Sequence, residues 1–335
     1  VTGTAGKELR ILGYDDVAAA LDMGACIDAV ERAFTAYAAG RAELPTVIQL
    51  DVPEHGAEIH VKAGHLHGAS AYAVKIVSGF PGNPARGLSA NDGLVLVFDA
   101  ETGTPAALIL DRGLITDVRT GAAGGVAARY LAPAHPRAVA MIGTGGQARF
   151  QIDALSRVRS FTDVRVWGRD PGRAAAAAAD IAALPSLPDA CTVTAAASVR
   201  EAVDGADVVI TATASRAPLL RAEWLAPGVH VTALGSDQPD KQELDSDVLA
   251  AADLAVADSV AQCLRIGELH HAVEAGALDP AAVVELGAIT GGTASGRSRA
   301  DQRTVCDLTG VGVQDVAAAA LVLAAAGDAG ETVRL

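Results

Sequence analysis

The sequence predicts an α/β protein, a doubly wound parallel sheet joined to a second, smaller α+β domain. Three observations predict it. Residues 138–148 read AVAMIGTGGQA, an apolar strand-like run that ends in a glycine-rich turn and opens a helical pattern. Downstream of this turn, short apolar runs alternate with helix-like segments, the order that builds a parallel sheet. Upstream the texture changes, and 45–110 consists of short strand-like runs parted by turns. At 335 residues, half of them apolar, the chain is long enough for two cores. The expected division is 1–125, with 306–335 returning to it, and 126–305.

In chain order, 14–40 reads as one or two helices. Asp15 and Asp16 mark the start, and Ala25, Val30, Ala33, Phe34 and Tyr37 supply helical spacing. Strand-like runs follow at 47–52, 58–62, 72–77 and 94–99, with turns at 53–56 (PEHG) and 101–104 (ETGT). Residues 114–130 read as a helix feeding the strand at 138–142. A helix at 147–158, with Phe150, Ile152, Ala154 and Leu155 on one face, leads to a second strand at 164–167. Beyond it come the alanine-rich helix 174–183 and strands at 208–213, 229–234 and 254–257. The last segment, 304–326, reads as a strand, a glycine turn at 310–312 and an apolar helix.

The turn has the spacing Gly143-x-Gly145-x-x-Ala148, a dinucleotide-binding fingerprint of Rossmann type in the variant that ends in alanine. The first glycine permits the tight turn, the second lets backbone approach a pyrophosphate, and the small third residue lets helix pack on strand. Free N–H groups at the helix start then meet the phosphates. About 20 residues on, where an acidic side chain would bond the ribose 2′-hydroxyl, the chain reads Gly168-Arg169-Asp170. The guanidinium of Arg169 matches a 2′-phosphate in charge and geometry, so NADP is favoured over NAD. Asp170 leaves the other choice open, because it can turn inward and accept the hydroxyl.

The net charge of −14 argues against nucleic acid and anionic membranes as partners. The longest apolar stretch, 316–326, has 11 residues, too short to span a bilayer. No secretory signal is visible, and Cys26, Cys191, Cys263 and Cys306 lie far apart, the pattern of a reduced cytoplasmic protein. On an acidic chain, a small anionic substrate needs a locally basic pocket. Three segments qualify as parts of one. Lys75 sits among strand apolars in VKIVSGFPGN (74–83), either solvated on a half-exposed strand or pointing into a cleft. Arg119 sits in LITDVRTGAA (114–123) with no obvious partner nearby, and such arginines hold carboxylate or phosphate through their planar fork. A salt bridge to the neighbouring domain is its alternative. Asp237 follows a predicted parallel strand in LGSDQPDKQEL (234–244), where open α/β sheets place ligands. It can serve as an acid/base with a raised pKa beside an apolar pocket, or as a helix N-cap. His270-His271 lack a third ligand nearby and read as helix-surface or interface residues, so no metal is expected.

Taken together, these segments resemble the ornithine cyclodeaminase/μ-crystallin family. The matching stretches are VKIVSGFPGNPARGL (74–88), DAETGTPAALILDRGLITDVRTGAAGGVAARYLA (99–132), IGTGGQARFQ (142–151), LGSDQPDKQEL (234–244) and DLTGVGVQD (307–315). LDVPEHGAEIHVKAG (50–64) and GELHHAV (267–273) look closest to the ectoine-utilisation branch. The resemblance implies a Rossmann domain plus a smaller domain that makes homodimers. It also implies that Lys75 binds or polarises the substrate's carboxylate and amine region, that Arg119 clamps carboxylate near the nicotinamide, and that Asp237 is the catalytic aspartate. Gly146, Gln147, Thr213 and Lys241 fall at its cofactor-contacting positions, and Thr309 beside its substrate. One departure matters: ornithine-specific members carry an arginine where this chain reads LPTVIQ (44–49), and Lys62 is the candidate replacement. A second is Pro239-Asp240-Lys241, which lacks the usual glycine.

The implied activity is NAD(P)-dependent: hydride abstraction from an α-amino acid, an imine, and cyclisation with loss of ammonia. An imine reductase or an amino acid dehydrogenase needs the same geometry and stays open. A non-catalytic NADPH-binding protein of the crystallin kind is the reading from another class, disfavoured because a pure binder has no need of Asp237.

Overall fold

The computed structural model describes residues 8–334 and divides into two compact units, Val1–Arg119 with Val311–Leu335, and Thr120–Gly310. The division falls a few residues from the expected 125/126 and 305/306. The helix Leu114–Leu131 runs unbroken across the first junction, and the strand Thr304–Asp307 pairs inside the second unit's sheet.

The first unit is built on an eight-stranded mixed sheet. Its order is Glu331–Arg334, Glu8–Leu12, Pro105–Ile109, Asn91–Asp99, Ala71–Gly79, Ala57–Leu66 and Ala42–Glu43, with Ile48–Val52 also paired to Ala57–Leu66. Neighbours are antiparallel except Glu8–Leu12 beside Pro105–Ile109. The four strand-like runs expected between 45 and 110 all form. Glu8–Leu12, Ala42–Glu43, Pro105–Ile109 and Glu331–Arg334 were not anticipated, being too short for period two to stand out. The helical stretch 14–40 resolves into Tyr14–Ala20 and Met23–Ala38, because the Asp22 carboxylate accepts from the Ala25 amide at 2.9 Å and caps a new start.

Helices Met23–Ala38 and Gly312–Ala325 pack on each other and on Ala57–Leu66. Two glycines let the second helix come close. A Cβ on Gly312 would lie 2.6 Å from the Ala63 carbonyl oxygen, and one on Gly64 would lie 3.1 Å from both Leu44 and Val316. This approach seats the first turn of the helix, with Asp315, against the strands that carry Lys62 and Lys75. Elsewhere on the sheet, the side chains of Ile48 and Leu50 stand 63% and 60% exposed.

The second unit is an eight-stranded, wholly parallel sheet in the order Thr192–Ala195, Asp163–Trp167, Ala138–Ile142, Val208–Thr211, His230–Ala233, Thr304–Asp307, Leu254–Ala257 and Val284–Glu285. Ala138–Ile142 and Val208–Thr211 are buried throughout, which is why they read as continuous apolar runs. His230 is tolerated in such a strand because Thr304 and Thr232 hydroxyls sit 2.9 Å from its two ring nitrogens. Burial, seconded by the Arg297 charge, pushes its pKa down to about 3, so it stays neutral. No helix among the described residues is long and apolar enough to cross a membrane.

Candidate active site

Sheet topology fixes where a ligand enters the second unit. From Ala138–Ile142 the strand order runs outward both ways, to Asp163–Trp167 on one side and Val208–Thr211 on the other. A crevice opens at such a switch point, outside the carboxyl ends of the strands. Here it has a volume of about 410 Å³ and is lined by Gly143, Gly145, Arg169, Arg173, Thr213 and Ser215 among others.

The glycines divide their work as the spacing implies. Gly143 holds φ +133°, and a Cβ there would strike the Ala212 carbonyl oxygen, so this position serves the turn. Gly145, the N-cap of helix Gly146–Val158, and Gly146 face open space where a Cβ would meet nothing within 4 Å. That empty margin at the helix start fits the close approach of a pyrophosphate. Asp170 does not turn inward as the sequence allowed. It caps helix Pro171–Ala182, its Oδ1 accepting from the Gly172 amide at 2.8 Å and the Arg173 amide at 3.1 Å. Arg169 and Arg173, one helical turn apart in number, are the cations on that side of the crevice. Arg173 was missed from the sequence, where it reads as a surface residue of an alanine-rich helix.

The loop after His230–Ala233 carries Asp237. No helix follows it, so the N-cap alternative falls away, and Asp245 instead caps the next helix, Ser246–Ala250. Nor are its surroundings apolar. Asp237 Oδ1 lies 2.6 Å from Lys241 Nζ, and the half-exposed carboxylate faces an ammonium. Lys241, expected at the cofactor, is thus also the partner of the aspartate. Its carbonyl oxygen accepts from Ser236 Oγ at 2.5 Å and lies 2.7 Å from His271 Nε2. His271 is therefore tied to the Asp237 loop. Thr309 is 4% exposed, and its hydroxyl donates to Asp258 at 3.1 Å and accepts from Gln262 Nε2 at 3.0 Å. That hydroxyl is thus hydrogen-bonded within the fold. Gln147 stands in the first turn of helix Gly146–Val158, its Oε1 3.4 Å from Gln151 Nε2.

In the first unit, Lys75 and Arg119 meet on a carboxylate that the sequence reading did not single out. Lys75 Nζ lies 2.8 Å and Arg119 Nε 3.0 Å from the same Asp315 oxygen, and Arg119 Nη1 donates to Gln314 Oε1 at 2.6 Å. The arginine without an obvious partner thus has one 196 positions along the chain and within its own unit, not in the neighbouring one. Lys75 and Asp315 are each 3% exposed, so the half-exposed strand position is excluded for the lysine. Lys62 pairs directly across from Lys75 in the sheet register and shares its face. Lys75 and Arg119 therefore converge on one carboxylate, and the charge of Lys62 acts on it as well. Burial, reinforced by Arg119 and Lys62 and opposed by Asp315, brings the Lys75 pKa down to about 7. Burial alone would raise the Asp315 carboxyl, but the charges of Lys75, Arg119 and Lys62 outweigh it and hold it below its ordinary range. Asp315 Oδ2 and Gln314 Nε2 are buried without a hydrogen-bond partner among the described residues. A polar pair, Gln314-Asp315, directly ahead of an 11-residue apolar run was the available signal.

The profile of the ornithine cyclodeaminase/mu-crystallin family matches residues 8–329. The chain belongs to that family. It is 43% identical over 303 residues to an uncharacterized cyclodeaminase of Sinorhizobium fredii, covering 90% of each chain. Among solved structures it superposes on Δ1-pyrroline-2-carboxylate reductase of Thermococcus litoralis, in complex with NADH and L-proline, with a TM-score of 0.90, 30% identity and coverage of 97% and 100%. An archaeal alanine dehydrogenase dimer with bound NAD gives 0.88, 32% identity and coverage of 98% and 100%.

Proposed function

We propose that this family member is an NAD(P)-dependent enzyme of amino and imino acid metabolism, with NADP favoured. The observation that carries the reading is the convergence of buried Lys75 and Arg119 on one oxygen of Asp315, whose other oxygen is buried without a hydrogen-bond partner among the described residues. Such a cluster holds a substrate carboxylate through one ammonium and one planar guanidinium. The crevice of the second unit, with its open Gly145 and the two arginines Arg169 and Arg173, fits a nicotinamide dinucleotide. When bound, that group supplies the acceptor or donor of hydride at the substrate's α-carbon. Lys75 and Arg119 fix the carboxylate and so orient the α-carbon. The Asp237 carboxylate takes or returns the proton at the substrate nitrogen, and Lys241 holds Asp237 in place.

With Asp237 deprotonating a side-chain amine that attacks the imine carbon, ammonia departs, the resulting ring imine takes the hydride back, and the reaction, redox-neutral overall, is that of a cyclodeaminase lyase. A second reading, imine reduction, is favoured by the absence of an arginine in 44–49 and by the likeness to a pyrroline-carboxylate reductase. The likeness of 50–64 and 267–273 to the ectoine-utilisation branch supplies the metabolic setting of the proposal, and a reduced, cytoplasmic compartment suits its buried thiols. A homodimer formed through the sheet of the first unit accounts for the exposed Ile48 and Leu50, and the archaeal relative is a dimer.

The test mixes purified protein with NADPH or NADH and a panel of cyclic imines, or keto acids with amines, and follows loss of absorbance near the nicotinamide band. Diamino acids with the oxidised cofactor are assayed separately for released ammonia, because cyclodeamination leaves the cofactor unchanged overall. Turnover that Asp237→Asn abolishes without weakening cofactor binding supports the reading. Micromolar NADPH binding with no turnover on any substrate would replace it with the non-catalytic cofactor-binding protein.

A further inference from the structure

The Asp237 loop and the crevice loop are joined by a residue with no role so far. Glu243 stands in the short strand Gln242–Leu244 and is fully buried, yet no lysine or arginine pairs with it among the described residues. Both its oxygens are taken instead by the two loops. Oε1 accepts from the Thr213 amide at 2.6 Å, and Oε2 accepts from the Gly235 amide at 2.8 Å and the Thr211 hydroxyl at 2.7 Å. Thr211 and Thr213 lead into the crevice, and Gly235 opens the loop that carries Asp237. Gly235 has to be glycine for this contact, since a Cβ there would lie 2.5 Å from Glu243 Cδ. The Glu243 backbone is gripped in turn. Glu268 accepts from the Glu243 amide at 2.7 Å and from the Leu244 amide at 3.0 Å, so the staple has a fixed anchor.

We propose that Glu243 is a positioning residue, whose carboxylate joins the backbone of the crevice loop at Thr213 to that of the Asp237 loop at Gly235 and so sets where Asp237 stands relative to the crevice. This rests on the catalytic reading of Asp237 given above. The chemistry requires a carboxylate. Three donors converge on two oxygens from opposite loops, and only a group with acceptors at both positions serves them all. A carboxamide of the same shape offers one acceptor and turns an N–H against a backbone N–H at the other, leaving a buried donor unpaired. Misplacement of a reacting group by a fraction of an ångström is costly in rate, whereas cofactor and substrate contacts made by other residues survive it.

The experiment compares wild type, Glu243→Gln and Asp237→Asn by amide hydrogen exchange without ligands, by NADPH titration and by steady-state kinetics. In Glu243→Gln, exchange at Thr213 and Gly235 is expected to quicken by at least ~10-fold while the strand Ala138–Ile142 keeps its protection. Its kcat is expected to fall by about 100-fold with KM changed less than about 3-fold. Asp237→Asn is expected to lose kcat with wild-type exchange at both amides. If Glu243→Gln does not fold, Thr211→Val removes one donor at constant shape, and smaller changes in the same two readouts are expected. Unchanged exchange at Thr213 and Gly235, or a lowered melting temperature with kcat within about 2-fold of wild type, overturns the proposal. Absence of turnover in wild type defeats the catalytic reading instead, and the exchange comparison still decides whether the staple exists.

Discussion

Substrate binding at the Lys75 cluster is expected to take up a proton above neutral pH. In the free protein the Lys75 pKa lies near 7, lowered first by burial and further by Arg119 and Lys62, with Asp315 pulling the other way. A substrate carboxylate adds a second anion and stabilises the ammonium, so the bound lysine titrates higher than the free one. Below pH 7 the ammonium is already present and binding costs nothing extra. Above it, each pH unit lowers the competent fraction tenfold. The sign is that of a base depressed in the free state: affinity is full at low pH and is lost as pH rises through about 7. Between pH 6.5 and 8.5 the competent fraction falls ~25-fold, and apparent Kd rises by the same factor. Isothermal titration of the cofactor-loaded protein with a substrate or product, in buffers of different ionisation enthalpy, counts the protons. Uptake is expected to approach one per site at pH 8.5 and to vanish in Lys75→Met. A flat affinity over that range with no uptake refutes the reasoning.

Other outcomes follow from single contacts. Arg169→Ala and Arg173→Ala are each expected to weaken NADPH about 10-fold or more and NADH less than about 3-fold, read by nicotinamide fluorescence; equal losses for both cofactors refute the 2′-phosphate assignment. Gly145→Ala meets nothing within 4 Å, so its melting temperature is expected to match wild type while dinucleotide affinity drops. Gly143→Ala, at φ +133° against Ala212, is expected to lose about 1–3 kcal/mol of stability in denaturant unfolding. Asp315→Asn strands buried Lys75 and Arg119 without their shared anion, and a loss of about 3–5 kcal/mol by the same measurement is expected.

The nucleotide half was legible because its central strands are buried on both faces and announce themselves as unbroken apolar runs, with glycines at fixed offsets where backbone must meet a ligand. Lys75, Arg119 and Asp237 were found as polar residues in apolar or strand-end settings. Their partners were not. Asp315 reaches Lys75 across 240 positions through a helix whose approach depends on Gly64 and Gly312, and no local pattern encodes that meeting. His271 and Glu243 act through backbone atoms of a distant loop, and such partnerships leave no trace in spacing. The inward alternative for Asp170 stayed open because an aspartate before Pro-Gly serves equally as a cap and as a ribose ligand, and the local backbone settled on the cap.

The insertion of Thr304–Asp307 between His230–Ala233 and Leu254–Ala257 has a consequence for biosynthesis. A ribosome-bound chain that already contains every other strand of the parallel sheet still has a vacant lane in its middle. The first unit waits too, for the helix Gly312–Ala325 that packs on its sheet. Neither half is complete until residues 304–325 emerge from the exit tunnel. Nascent copies therefore pass most of their synthesis with core surface uncovered, and a stop codon anywhere before residue 300 would leave two unfinished halves rather than one sound one.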